Sequence, residues 1–336
     1  MTRRVPVASA AALALALACA GAACAESTSA GVAAADAAAG AAPAEVAGTR
    51  ASPAVLGNVD VSSDTDGFHA TRLRAGALYP YASYFDYAGV TVQNTHYSQA
   101  GWSRDAAGIV GLWRKQDPRT LAGVNAEAGI VQVAGHTRAV GDATWSLRPA
   151  PDTGVELLAA GDIVTTQKAI ERGVAYGLFG ASVEQTFADR FTAIGLVAYQ
   201  PFTDGNERTH LRARLIWQVV PESGFNAELR WRRYRSSKSD VGGAYFDPDR
   251  YEQWVGALTL RRHVGRWTLS GALGAGRETV NSTDTNPVTM AELRAEGALE
   301  PNLRLAFYAL YNRSTGYVDT PDYAYRQAGV TLIHPF

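Results

Sequence analysis

Cysteine is almost missing from this 336-residue chain, which has two, Cys19 and Cys24, both close to its start. If the leader that holds them is removed, no disulfide, zinc–thiolate site or cysteine nucleophile is available. A cysteine-free exported chain also escapes mispairing in an oxidising periplasm. Net charge is missing too: 31 basic residues face 32 acidic ones, a formal net charge of -1. That balance gives no electrostatic footprint for a nucleic acid. Long apolar runs are absent beyond Gly57, where no stretch reaches the roughly 18 residues of a helical membrane span. The six histidines, His69, His96, His136, His210, His263 and His334, show no metal-ligand spacing.

What is present begins with an export leader. Arg3 and Arg4 precede an apolar, Ala- and Leu-rich stretch over 5–21, and Ala23-Cys24-Ala25 supplies small-x-small. These features predict a secretory signal over 1–25, cleaved after Ala25. A membrane anchor is the alternative, although the run is short for a span of about 20 residues. Residues 26–53 are mostly Ala, Gly, Ser, Thr and Pro. They carry too few large side chains to offset ordering entropy and predict a flexible periplasmic tail. The rest, 54–336, is expected to form one barrel.

Alternation carries that expectation. Leu211, Ala213, Leu215, Trp217 and Val219 share one face, and His210, Arg212, Arg214 and Gln218 the other. Phe225, Ala227, Leu229 and Trp231 oppose Asn226, Glu228, Arg230 and Arg232. Ala291, Leu293 and Ala295 oppose Glu292, Arg294 and Glu296, and Leu303, Leu305, Phe307, Ala309 and Tyr311 oppose Arg304, Tyr308 and Asn312. Period two over about ten residues is a β-strand with one apolar and one polar face. A soluble sandwich alternates as well. The export context and strands of about nine to eleven residues favour a transmembrane antiparallel β-barrel, with lipid outside and a polar lumen inside.

Connectors are expected to alternate in length. Short ones fall at 116–119, 188–189, 221–224, 263–265 and 300–302, and longer ones at 201–208, 236–249, 280–287 and 314–322. Short turns on the periplasmic side and long loops outside are the usual barrel arrangement. Fifteen strands are readable from Phe68 onward, and an even count needs one more, placed at 55–61. The expectation is about sixteen strands, with fourteen as the alternative. Trp217, Trp231, Trp254 and Trp267 are expected near strand ends, as in an interfacial belt. Ala328, Val330, Leu332 and Phe336 share a face on the last strand. That pattern resembles the terminal signal read by the outer-membrane assembly machinery, although His334 and Pro335 depart from its usual form.

No catalytic constellation stands out, and no segment looks like an outer-membrane phospholipase or an omptin protease. An enzyme and a cofactor are therefore not expected. The run from Gly271 to Gly276 has the glycines of a phosphate loop but lies inside an alternating strand, so it fails that test of context. Asp240, Asp247 and Asp249 are expected to be solvated loop charge rather than a calcium site.

One loop carries a resemblance. Gly242, Gly243, Tyr245, Phe246, Pro248 and Tyr251 match the Gly-Gly-x-Tyr-Phe-Ser-Pro-x-x-Tyr stretch of exopolysaccharide-export barrels, with Asp247 where Ser is usual. These are the poly-N-acetylglucosamine export porins and the cellulose synthase outer-membrane subunit. The resemblance implies a sixteen-stranded barrel, a polysaccharide cargo and a periplasmic helical-repeat scaffold. No such scaffold precedes the barrel here, so a separate protein would supply it, or the barrel stands alone. The expected partners are outer-membrane lipid, the assembly machinery, such a scaffold and a polysaccharide. Arg212, Arg214, Glu228, Arg230, Arg232, Glu292, Arg294, Glu296 and Arg304 are expected to line the path, with Tyr308 as a stacking surface. These residues could instead pair across strands and hold the barrel together. The alternatives to export are a small-solute diffusion porin and a closed barrel acting as anchor or surface receptor.

Overall fold

The computed structural model describes residues 52–238, 240–281, 284–300, 302–314 and 323–336. The expected signal, nearly all of the tail and the connector after residue 314 lie outside them. The strands are β1 (Ser52–Asp64), β2 (His69–Ser83), β3 (Asp86–Gln99), β4 (Trp102–Gln116), β5 (Gly123–Val133), β6 (His136–Ala150), β7 (Thr153–Ile163) and β8 (Ala175–Phe187). The second half holds β9 (Phe191–Pro201), β10 (Glu207–Val220), β11 (Phe225–Ser236), β12 (Arg250–Val264), β13 (Trp267–Val280), β14 (Asp284–Glu300), β15 (Leu303–Ser314) and β16 (Tyr323–Pro335). Each pairs antiparallel with its sequence neighbours, and β1 pairs with β16, closing a sixteen-stranded barrel. Sixteen, not fourteen, is the count, and β1 is the strand that the sequence marked most faintly. Its in-register ladder from Ala54↔Pro335 to Asp64↔Tyr325 removes the last sheet edge. Phe336 adds a bond from its N–H to the Pro53 carbonyl at 3.0 Å.

The faces fall as the alternation predicts. Leu211, Leu215, Trp217, Leu229 and Leu293 are exposed on the outer wall, whereas His210, Arg214, Glu228, Arg232 and Glu296 are buried within. An outer wall this apolar requires lipid against it. Trp217 and Trp267 lie at strand ends, with Trp217 stacked on Phe191 and Phe191 on Phe187. Trp231 does not, since β11 runs five residues past it. It nevertheless marks an edge of the apolar band. The next outward positions are Arg233, Arg235 and, beside Trp254, Glu252, which accepts from both indoles at 3.0 and 3.1 Å. The strands here are longer than the membrane is thick and continue beyond it.

The two rims differ. The turn rim carries both described ends and the short connections, as expected. At the opposite rim the long connectors cluster in one half. The turns after β1, β3 and β5 are short, but residues 164–174 carry a helix, α1 (Gln167–Arg172), and β11 and β12 are joined by a long connection of which 237–238 and 240–249 are described. The expected loop over 280–287 is mostly strand, because β14 already starts at Asp284. The Gly271 to Gly276 run lies inside β13, as its context required. Gly276 lets the sheet bend, since a Cβ there would meet the Trp254 carbonyl at 1.9 Å.

Candidate pore and its two mouths

Arg212, Arg214, Glu228, Arg230, Arg232, Glu292, Arg294, Glu296, Arg304 and Tyr308 all face the lumen. Facing the lumen is not the same as guiding a substrate, and most of these groups are engaged with one another. Arg214 and Glu228 pair at 2.5 Å between adjacent strands, and so do Arg304 and Glu296. Arg230 reaches Glu228 at 2.9 Å and, past β12 and β13, Glu292 on β14 at 3.1 Å. Arg74 on β2 pairs with Glu127 on β5 at 2.7 Å, a second strut between non-adjacent strands. Arg232 donates to the Tyr251 hydroxyl at 2.7 Å. Buried charges persist only when paired in this way, because desolvation is otherwise too costly. The lumen is therefore braced by ion pairs rather than lined by free ones.

Tyr308 is not a free stacking surface. A Cβ on Gly329 of the neighbouring strand would stand 2.4 Å from its ring, so the ring lies over that glycine. Covering a strand glycine with a cross-strand aromatic pins the register. Its hydroxyl accepts from Gln327, which also donates to Asp60.

At the loop rim the segment that carries the resemblance folds inward onto the wall. Tyr245 is 2 % exposed and stacks on Phe202, with ring centroids 4.8 Å apart. Its hydroxyl donates to Asp204 at 2.8 Å and accepts from Asn206 at 3.1 Å. Burial pushes this phenol up, Asn206 pulls it back and the Asp204 carboxylate raises it again, so it stays a protonated donor. Tyr251, fully buried, stacks on Tyr234 at 4.8 Å and meets Phe246 edge-on. Arg208 sits among these rings, 4.8 Å from Phe202, 5.3 Å from Tyr234 and 5.4 Å from Tyr245. It donates to the Phe246 carbonyl and lies 3.5 Å from Asp247. Asp247, expected as solvated loop charge, is instead buried, held by Arg208 and by Asn206 at 2.7 Å. The helix connector packs against the same plug: Thr166 caps α1 by accepting from the Ala169 N–H and donates to the Ala244 carbonyl.

The turn rim is closed differently. The two residues joining β2 and β3, Tyr84 and Phe85, turn inward and pack with Ala54, Leu78, Val110 and Leu121. Arg114 on β4 and Arg304 on β15 lie over the Tyr84 ring at 4.4 and 4.3 Å. Four strands, β16, β1, β2 and β3, separate those two in the barrel order, so the turn reaches across the mouth. Burial raises the Tyr84 phenol and Glu296 adds to that, while the two guanidiniums oppose both. Leu121 holds φ at 60°, uncommon for a residue with a Cβ, and its side chain joins the cluster. Sequence reasoning missed Tyr84, Phe85, Arg114, Leu121 and Arg208. Among the described residues no group of three or more His, Cys, Asp or Glu is placed to hold a metal. A concavity of about 970 Å³ lies on the outer wall, floored by Gly271, Ala291, Ala309 and Ala328, and is no part of the lumen.

Comparison with known proteins sharpens the architecture. No family model matches the chain, and neither does any curated protein. Among solved structures, one described as a bacterial polysaccharide outer membrane secretin superposes with a TM-score of 0.63 at 12% identity, covering 86% of this chain and 100% of its own. The fold is that of an outer-membrane β-barrel. CdiB from Acinetobacter baumannii aligns over 84% of this chain and 60% of its own, at 10% identity and a TM-score of 0.47. OccK7 (OpdD) of Pseudomonas aeruginosa aligns over 86% and 99%, at 8% identity and 0.42. At such identities the likeness speaks for the barrel and not for its cargo.

Proposed function

We propose that this barrel is an outer-membrane pore that exports an exopolysaccharide and is closed at both mouths in the conformation described. The turn rim faces the periplasm and the loop rim the exterior, as short and long connections do in such barrels. The observation that carries the reading is the wall of ring and guanidinium faces under the Tyr245–Phe246 loop. Phe202, Tyr234, Tyr245 and Tyr251 stack in pairs around Arg208. Flat apolar faces edged with hydrogen-bond donors and acceptors suit the alternating CH and OH faces of a pyranose chain. When the loop lifts, those faces line the exit. The polysaccharide secretin named above has the same barrel architecture. Sliding of a polymer needs no chemistry.

The experiment is single-channel recording of the refolded protein in a planar bilayer, intact and with residues 241–249 replaced by a short Gly-Ser link. Current in the shortened form that neutral glucan fragments block supports export. Current indifferent to polymers points to a small-solute porin. A specific observation favours the closed anchor or receptor: the Arg230–Glu292 and Arg74–Glu127 struts span non-adjacent strands. Silence in both forms, and in a form that also lacks those struts, establishes that reading.

A further inference from the structure

The loop rim also holds a pocket that closing the lumen does not explain. It has a volume of about 300 Å³ and opens where the α1 connector, residues 202–206 and the 237–249 loop meet. Arg138, Arg172 and Lys238 line it. Arg138 donates to the Gly173 carbonyl at 2.8 Å and the Thr137 carbonyl at 3.0 Å. Arg172 donates to the Val241 carbonyl at 3.0 Å, and Lys238 to the Asp204 carbonyl at 2.7 Å. All four acceptors are backbone oxygens, and among the described residues none of the three cations is in an ion pair. The carboxylates in the lining are held by neutral donors: Asp240 by the Gly242 N–H at 2.6 Å, Asp204 by Tyr245 and the Asn206 N–H. The three cations thus converge on the pocket without a salt bridge to either carboxylate of its lining.

The loop backbone keeps that space open. Gly242 and Gly243 hold φ at 65° and 62°, where a side chain is strained. A Cβ on Gly242 would stand 3.0 Å from the Arg172 guanidinium, and one on Gly243 3.3 Å from the Lys168 ammonium. Two residues of the family-like loop are therefore glycines beside cations.

We propose that this pocket binds a carboxylate-bearing sugar unit, of the uronic-acid class, on the polymer leaving the pore. Three cations and two carboxylates in the lining leave one net positive charge, which suits a singly charged carboxylate better than a dianionic phosphate. Thr203, Asp204 and Asp240 offer hydroxyl and carboxylate oxygens to the ring hydroxyls around it. The volume is at the low end of ligand sites, which run from roughly 300 to 1,000 Å³, so the pocket takes one unit and not a stretch of chain. The assignment rests on the export reading and narrows its cargo to an acidic polymer.

The test is calorimetric titration of the refolded full-length protein with tetra-galacturonate, with maltotetraose as the neutral control. Tetra-galacturonate binds, more weakly as salt rises, and maltotetraose does not compete. R172Q/K238Q weakens binding by about tenfold or more, the loss of two charge-assisted contacts. R172K/K238R restores most of it. Heat-dependent gel mobility checks that each variant forms the barrel. No binding of tetra-galacturonate up to about 10 mM, equal binding of maltotetraose, or an unchanged affinity in R172Q/K238Q overturns the assignment. The two readings fail separately. Glucan-blocked current without uronate binding removes this site and leaves the pore, whereas uronate binding on a silent barrel keeps the site and removes the pore.

Discussion

The two mouths of the barrel are closed by aromatic residues next to arginine, but by different physics. At the loop rim the plug is a long loop tied by polar bonds. Arg208, 2 % exposed, meets a carboxylate, a carbonyl and the Ser236 hydroxyl as well as three rings. Asn206, fully buried, clips Tyr245, Asp247 and Ser237 together. At the turn rim the plug is a two-residue turn in an apolar cluster. Arg114 there is fully buried, with the Tyr84 and Tyr87 phenols rather than a carboxylate beside its guanidinium. Its Nε reaches Gln116 at 2.8 Å, and its charge otherwise rests on the faces of Tyr84 and Phe85. A polar latch can exchange its bonds for water one at a time and reopen. An apolar plug has no such stepwise exchange and opens only when its whole cluster moves aside. On the export reading, the loop rim is the mouth that gates and the turn rim the stiffer constriction.

The largest effect should come from opening both mouths. Constrictions in series add their resistances, so widening one leaves the other limiting. Tyr84→Ala alone, or replacement of 241–249 alone, should raise single-channel conductance only modestly. The two together should raise it by about tenfold over either alone, as expected when pore radius limits flow. Planar-bilayer recording measures this directly. If the loop replacement alone reaches the full value, the turn-rim plug is not a barrier and the comparison fails.

Next come two substitutions of the same kind with unlike outcomes. Arg208→Met leaves Asp247 and the Phe246 carbonyl buried without their cation and should cost about 3 kcal/mol, the usual penalty for breaking a buried pair. Arg114→Met removes a guanidinium that has no salt bridge among the described residues and keeps much of its volume against Tyr84. It should be neutral or stabilise by about 1 kcal/mol, as apolar replacements of buried ions often do. Urea unfolding in lipid vesicles gives both values. Equal losses would mean that stacking on rings, common to both sites, outweighs the hydrogen bonding that differs between them.

This contrast also marks where the sequence stops being readable. Period two sorts each strand residue to the lipid or the lumen, which is why Arg214, Glu228 and Glu296 could be placed inward from the sequence. It says nothing of depth, and depth decides that Arg230 meets Glu292 and Arg208 meets Asp247. β1 was faint because Gly57 and Ser63 interrupt its outward face. Tyr84 and Phe85 were hidden because an aromatic two-residue turn reads as continued strand. α1 was missed because six residues are too few for helical periodicity, although Thr166 and Gly173 bracket it as caps. The Tyr245 loop was found by resemblance alone. Its inward fold depends on Phe202, Asn206 and Arg208, some forty residues earlier in the chain.

The smallest expected effect lies outside both plugs, in the turn joining β4 to β5 at the turn rim. The Asp117 carboxylate accepts from the N–H of Thr120 at 2.7 Å, the Thr120 hydroxyl at 2.9 Å and the N–H of Arg119 at 2.9 Å. The Thr120 N–H does most to hold its pKa below the usual carboxylate value, against a small opposing cost of burial. A depressed folded value means that the unfolded chain takes up the proton first as pH falls. The contribution is therefore complete above the unfolded aspartate value, near 3.8, and is lost as pH drops through the folded one. Asp117→Asn should leave the barrel assembled, with a slightly lower urea midpoint at pH 7 and a shallower loss as pH falls below about 4. Because the carboxylate is mostly exposed, the difference should be a few tenths of a kcal/mol at most. Leu121 follows in the same turn, and its N–H bonds the Asp117 carbonyl at 2.7 Å. Acid should therefore loosen the turn-rim plug before it disturbs the loop-rim latch, and hydrogen exchange at Leu121 compared with Ala244 over the same pH range reads out that order. Faster exchange at Ala244 first would overturn that acid order and show that Asp117 does not set it.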